Sequence, residues 1–233
     1  MTSAGDVNEV HPNLRQAVGM VEGLASTFGP RSEVLVHDLS LIPNSIIAIS
    51  GGLTGRAVGG SMTDMLLARV RSGDFEDLLN YMTAMDDGRT FRSSTLFIRD
   101  GDEVLGCMSI HQDVTEWRHL SAFAEWQLSG TGVRARDLPT LLTEDGVSAE
   151  RFPPDVEALR SELISRAIAD IGVSIELLHK RHKLAIVQRL EREGFFMLRD
   201  AVPQLASALS VTRHSVYNYL NEARAESAAN ESS

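Results

Sequence analysis

Apolar residues recur at helical spacing near the start of the chain and again near its end, with strand-like runs between. From Pro12 to Phe28, the residues Leu14, Val18, Val21 and Leu24 fall on one stripe, which predicts a helix stopped by Gly29-Pro30. Glu33 to Asp38 and Ser45 to Ser50 are rich in Val and Ile and flank Pro43-Asn44, so they read as a hairpin. Gly51-Gly52 and Gly59-Gly60 bracket a loop that contains Thr54, Gly55 and Arg56, and Thr63 to Arg71 reads as a short helix. Arg92 to Arg99 and Glu103 to Gln112 form the clearest hairpin, joined at Asp100-Gly101-Asp102, because Asp-Gly supplies the positive φ angles a tight turn needs. A helix then runs from Thr115, its expected cap, to about Leu128, with Asp113 holding the exit turn. Its stripe of Trp117, Leu120, Ala124 and Leu128 suits core packing or a dimer contact. The order implies a small antiparallel sheet with helices packed mainly on one face.

Residues 130–155 are rich in Gly, Pro and scattered acids and read as a linker. Val156, Leu159, Leu163, Ala167, Ile168 and Ile171 then make a sustained stripe, expected to carry a dimer contact across 156–179. Lys183 to Arg192 is helical, with Leu184, Val187 and Leu190 on one face and Gly194 suited to end it. Phe195, Phe196 and Leu198 make an apolar connection. Asp200 is the expected cap of a second helix through Leu205, Ala206 and Leu209, with Pro203 tolerated in its first turn. Ser210-Val211 turns the chain, and Thr212 caps a third helix whose buried stripe is Val216, Tyr219 and Leu220. The opposite face shows Arg213, His214, Tyr217, Asn218 and Arg224. Amide and guanidinium forks read base edges and hydroxyls bind phosphates, so the face has the chemistry of a helix-turn-helix recognition helix. Thr212, Arg213, His214, Ser215, Tyr217, Asn218 and Arg224 are therefore the candidate DNA contacts. Ser210 stands where Gly is common, and a left-handed backbone there costs a non-Gly residue about 1 kcal/mol.

Charge sharpens this division. The 233 residues carry a net charge of −10, which as one number argues against nucleic acid. Residues 1–179, however, hold 14 Arg, no Lys and 26 acids, giving −12, while 180–233 hold 8 basic and 6 acidic residues, giving +2. Both lysines, Lys180 and Lys183, sit beside Arg181 and His182. A mild +2 predicts weak non-specific phosphate attraction and a reliance on base contacts and two half-sites. One cysteine excludes an intramolecular disulfide and fits a reducing compartment. The apolar runs are far too short for a membrane helix and the polar start is no signal peptide, so a cytoplasmic protein without membrane contact is expected.

The first half resembles a PAS sensor domain, with its hairpin, Gly-containing helical crossover, two long strands and Asp-x-Thr exit. VLVHDLS (34–40), ISGGLTGRAVGGSMTD (49–64), NYM (80–82), FRSSTLFIRDGDEVLGCMSI (91–110) and QDVT (112–115) resemble the YheO-type PAS family. The words KLAIVQRLEREGFFMLRDAVPQLASAL (183–209) and SVTRHSVYNYL (210–220) resemble the DauR-type helix-turn-helix. The resemblance implies an α+β chain: a PAS-like antiparallel sheet with flanking helices, then an all-α C-terminal helix-turn-helix domain. Expected divisions are a sensor at 10–129, a linker at 130–155, a connecting helix at 156–179 and the DNA-binding domain at 180–226. The implied function is that of a one-component transcription regulator, and the stripes of the helices at 114–128 and 156–171 suggest a homodimer.

On the long hairpin, Ser93, Thr95, Cys107, Ser109 and His111 share parity if the turn takes three residues, and with Phe97 and Leu105 they are placed to line the cupped sheet face. Apolar walls with a few polar groups suit a small polar effector of unknown identity. Ser93, Thr95, Ser109 and His111 are therefore candidate ligand residues, joined by His37, Asp38, Asn80 and Tyr81 from the family-like motifs. No cofactor or metal is expected: the seven histidines are scattered, without a ligand spacing, and Cys107 reads as an inert buried thiol. No phosphate loop or nucleophile elbow is present, so the chain is not expected to be an enzyme. A protein-interaction adaptor and a ligand-processing enzyme using the pocket remain open alternatives.

Overall fold

The structure is a computed structural model that describes residues 10–85, 87–129, 147–148 and 150–231. Most of the expected linker at 130–155 lies outside the described residues. The chain forms two compact units: Met1–Ser40, Ile46–Val58 and Glu76–Arg151 in the first, Leu41–Ser45, Gly59–Phe75 and Phe152–Ser233 in the second.

In the first unit, helix α1 (Pro12–Phe28) precedes strands β1 (Ser32–Asp38) and β2 (Ile46–Gly51). Strands β3 (Leu78–Ala84), β4 (Thr90–Asp100) and β5 (Glu103–Asp113), helix α3 (Thr115–Ser129) and the short β6 (Val147–Ser148) complete it. The strand order is β2-β1-β5-β4-β3-β6; the first five strands pair antiparallel and β6 joins β3 in parallel. Leu14, Ala17, Val21 and Ala25 of α1 bury against Val34, Val36, Ala48 and Met108 on one sheet face. Burying each large aliphatic side chain here contributes about 1.5–3 kcal/mol, and the two alanines give α1 little side-chain bulk on that face. Gly29, at φ 90°, ends the helix where a side chain would be strained.

The hairpin register corrects one detail. Asp100 pairs with Glu103, so the turn takes two residues rather than three, and a shift between Ile98 and Arg99 then leaves Leu105 as an extra residue. The shift restores the parity a three-residue turn would give, with the pairs Phe97–Cys107, Thr95–Ser109 and Ser93–His111. It also turns Leu105 to the α1 side, away from the cupped face. Strand β3 was not expected from the pattern. Asn80, in the left-handed region at φ 56°, interrupts its ladder and hides its alternation. Asp113 holds the exit turn, accepting from the Thr115 amide at 3.0 Å. The Thr115 hydroxyl accepts from the Thr90 amide at 2.9 Å instead of capping α3.

The second unit is helical: α2 (Asp64–Ser72), α4 (Val156–Ala169), α5 (Lys180–Arg192), α6 (Ala201–Ala208) and α7 (Arg213–Glu231). Its core is built from Leu67, Leu159, Leu163, Ile186, Val187, Leu190, Phe195, Leu205, Leu209 and Val216. Helix α4 packs on α5 and α6, so Leu159, Leu163 and Ala167 are spent inside the chain. Of the expected stripe on this helix, these three positions belong to the internal core, while Val156, Ile168 and Ile171 are half-buried. Asp200 adopts φ 59° and makes no side-chain cap hydrogen bond, contrary to expectation; its carbonyl accepts from Gln204 at 3.2 Å instead. The turn after α6 closes with Ser210 N–H donating to the Ser207 carbonyl at 3.2 Å and Val211 N–H to the Ala206 carbonyl at 2.9 Å. That pairing needs a left-handed residue, and Ser210 supplies it at φ 51°.

Candidate functional site

The sheet face opposite α1 carries a buried polar cluster. Alternation puts Glu33 and His37 of β1, Cys107, Ser109 and His111 of β5, and Ser93 and Thr95 of β4 on this face. All seven are buried. Arg56 reaches in from the loop after β2, and its side chain and that of Glu33 are both 0% exposed. The guanidinium lies 3.3 Å from Glu33 Oε1, donates to Thr54 Oγ1 at 2.9 Å and approaches His111 Nε2 at 3.1 Å. Thr54 donates its hydroxyl to Glu33 at 2.6 Å and its amide at 3.1 Å. Arginine only donates, so His111 Nε2 accepts and Nδ1 holds the proton that faces Ser93 Oγ at 2.9 Å. Tyr81, Thr95 and Ser109 continue the chain of hydroxyls at 3.3 Å steps, and Thr83 donates to the buried Glu150 at 3.2 Å.

Burial, then the Arg56 charge, lowers the pKa of His37 to about 3. The same causes, with His37 added, hold His111 well below its ordinary value, so both imidazoles are neutral. Burial, and then the Glu150 charge, raises the Tyr81 phenol. Burial pushes the Cys107 thiol up to about 12, so it is not a ready thiolate.

Not every expected ligand residue joins this face. Asp38 is buried, but its carboxylate accepts from the Ser40 amide at 2.9 Å and hydroxyl at 2.6 Å, a local turn. Asn80 is exposed, and its amide donates to Ser94 Oγ. Glu33, Thr83 and Glu150 were missed. A carboxylate at the head of the Val34-Leu35-Val36 run was the available signal for Glu33, since such a charge is buried only with a partner.

On the second unit, α7 presents Thr212, Arg213, His214, Tyr217 and Asn218 outward, with Ser215 half-buried. Val216, Leu220 and Ala223 are buried behind them, while Tyr219 is half-buried. Thr212 Oγ1 accepts from the Ser215 amide at 3.1 Å and so caps the helix. Arg224 is exposed as well, and its Nε also donates to Glu191 of α5 at 2.8 Å.

A family model described as the YheO-like PAS domain matches residues 8–128. The chain belongs to the YheO-like PAS family. A second model, described as an HTH domain, matches residues 159–221 and so takes in α4 as well as α5–α7. The chain is similar to YheO of Escherichia coli K12, 26% identical over 216 residues covering 90% of this chain and 84% of that protein. It is similar to an uncharacterised protein of Haemophilus influenzae, 27% identical over 214 residues and 89% of each chain. It is also similar to the transcriptional regulator DauR of Pseudomonas aeruginosa, 25% identical over 214 residues, 91% of this chain and 94% of that protein.

The cluster in this YheO-like domain gives a pH prediction. His37 and His111 are neutral when folded but protonate near 6.5 when unfolded. Below that value the unfolded chain binds more protons, so stability present above it is lost as pH falls. Each histidine then costs up to about 1.4 kcal/mol per pH unit. Urea midpoints at pH 7.5, 6.5 and 5.5 are expected to fall most over the last step, and His37→Gln to reduce that fall. Among the described residues, no group of three or more His, Cys, Asp or Glu is placed to hold a metal ion. None of their helices is long and apolar enough to cross a membrane.

Proposed function

We propose that the chain is a transcription regulator whose α7 reads double-stranded DNA in the major groove, under the control of a small polar effector held by the PAS sheet. The observation that carries it is the division of α7: Val216, Leu220 and Ala223 inward, Arg213, His214, Tyr217 and Asn218 outward. The name of DauR and the HTH match support this reading. Arg213 and Asn218 have the forks that pair with guanine and adenine edges, and the capped N-terminus with Thr212 and Ser215 suits phosphate. Arg224, exposed but paired with Glu191, would lie farther along the helix. The effector would be met by Tyr81, Ser93, Thr95, Ser109, His111 and His37, a set of hydroxyls and neutral imidazoles.

A homodimer is part of the proposal. Two recognition helices would then enter grooves about 34 Å apart. Trp117, Leu120, Phe123 and Leu128 of α3 are exposed and form an apolar surface available for it. Gel shifts on a binding site selected from random DNA test the reading. Arg213→Ala and Asn218→Ala are each expected to lose about 1–3 kcal/mol of discrimination against unrelated sequence, with circular dichroism unchanged. Equal discrimination by both variants would move the base contacts off α7.

A further inference from the structure

Helix α2 lies between β2 and β3 in the sequence, yet it packs as part of the helical unit. Thr63 caps it, accepting from the Leu66 amide at 3.2 Å. Asp64, in its first turn, forms an ion pair with Arg166 of α4. Burial works against the Arg166 charge, but the Asp64 hydrogen bond and charge outweigh it and the pKa is raised. Leu67 is fully buried against the close of α5. A methyl group on Gly194 would lie 3.0 Å from Leu67 Cγ and 3.2 Å from Arg71 Cβ, so the approach requires glycine there. At the last turn of α2, Arg71 Nη2 lies 2.6 Å from Glu191 Oε1. That same oxygen accepts Arg224 Nε from the recognition helix at 2.8 Å. One nearly buried carboxylate oxygen on α5 thus holds a guanidinium from α2 and another from α7.

We propose that α2 positions the recognition helix through the shared Glu191 oxygen. Arg71, Glu191 and Asp64 are positioning residues in this scheme. The proposal rests on the DNA-reading role given to α7, but its first test does not use DNA.

Amide hydrogen exchange on the full chain provides that test. Arg71→Gln is expected to speed exchange by about fivefold at the end of α5 and in α7 around Arg224, leaving the β4–β5 hairpin unchanged. Arg71→Lys, which keeps the charge, is expected to restore most of the protection. Asp64→Asn, which removes the buried carboxylate at the other end of α2, provides a second entry and should match Arg71→Gln in α7. Unchanged exchange in α7 of Arg71→Gln, or failure of Lys to restore protection, would overturn the proposal. The expected exchange pattern in a protein that binds no DNA would sink the DNA reading and leave the positioning role standing.

Discussion

Arg56→Ala is expected to destabilise the protein by about 3–5 kcal/mol at pH 7.5, the cost of leaving one member of a buried ion pair without the other. Glu33 and Arg56 have no solvent-exposed side-chain surface, so water does not replace the lost guanidinium. Glu33 would keep only Thr54, and His111 Nε2 would lose the donor beside it. Arg56→Lys should recover part of the loss, because an ammonium reaches one acceptor well but does not span Thr54, Glu33 and His111 as the planar fork does. Glu33→Gln should also be costly, since it leaves the guanidinium buried without its nearest carboxylate. Urea unfolding checks the series. A loss under about 1 kcal/mol for Arg56→Ala would mean that Glu33 is not held as a buried carboxylate.

Leu67→Ala is expected to cost about 2–5 kcal/mol, as for other fully buried leucines truncated in a packed core. The residue falls within the sequence matched as the YheO-like PAS domain, but its packing partners lie in the helical unit. Unfolding followed by the two tryptophans, Trp117 and Trp126, reports mainly on α3. Circular dichroism at helical wavelengths also reports the second unit. The Leu67→Ala loss should therefore appear in the helical signal at lower urea than in the tryptophan signal, if the units unfold apart. An unchanged helical transition would show that Leu67 is not part of that core.

Much of this was legible in the residues. The α1 stripe, the long hairpin and the helices from 180 onward were readable because their apolar periods are clean and their ends carry Gly, Asp-Gly or Thr signals. The parity of Ser93, Thr95, Ser109 and His111 was anticipated for the wrong turn, because a register shift between Ile98 and Arg99 has the same effect as an extra turn residue. Strand β3 was illegible: left-handed Asn80 sits inside it, and propensity reads such an Asn as a turn. The packing of Leu159, Leu163 and Ala167 of α4 inside the chain was not legible, because an amphipathic stripe shows only that a helix buries one face, not what buries it. The same limit hid the placement of α2, which depends on Leu67, Arg71 and a glycine more than a hundred residues away in sequence. Glu33 and Arg56 were hidden as partners because a charge on a strand and a charge in a glycine-rich loop show no period in common.

The charge distribution sets the terms of the decisive measurement. A net −12 over 1–179 and +2 over 180–233 imply little non-specific hold on DNA, so sequence preference should persist while the background falls with salt. Footprinting of the full chain on DNA upstream of its own gene, over a range of salt, tests this most directly. The expected result is protection of two half-sites with centres about one helical turn apart, lost together when Arg213 and Asn218 are both replaced by alanine. Absence of protection at every salt, or protection that ignores sequence and survives the double replacement, would contradict the account.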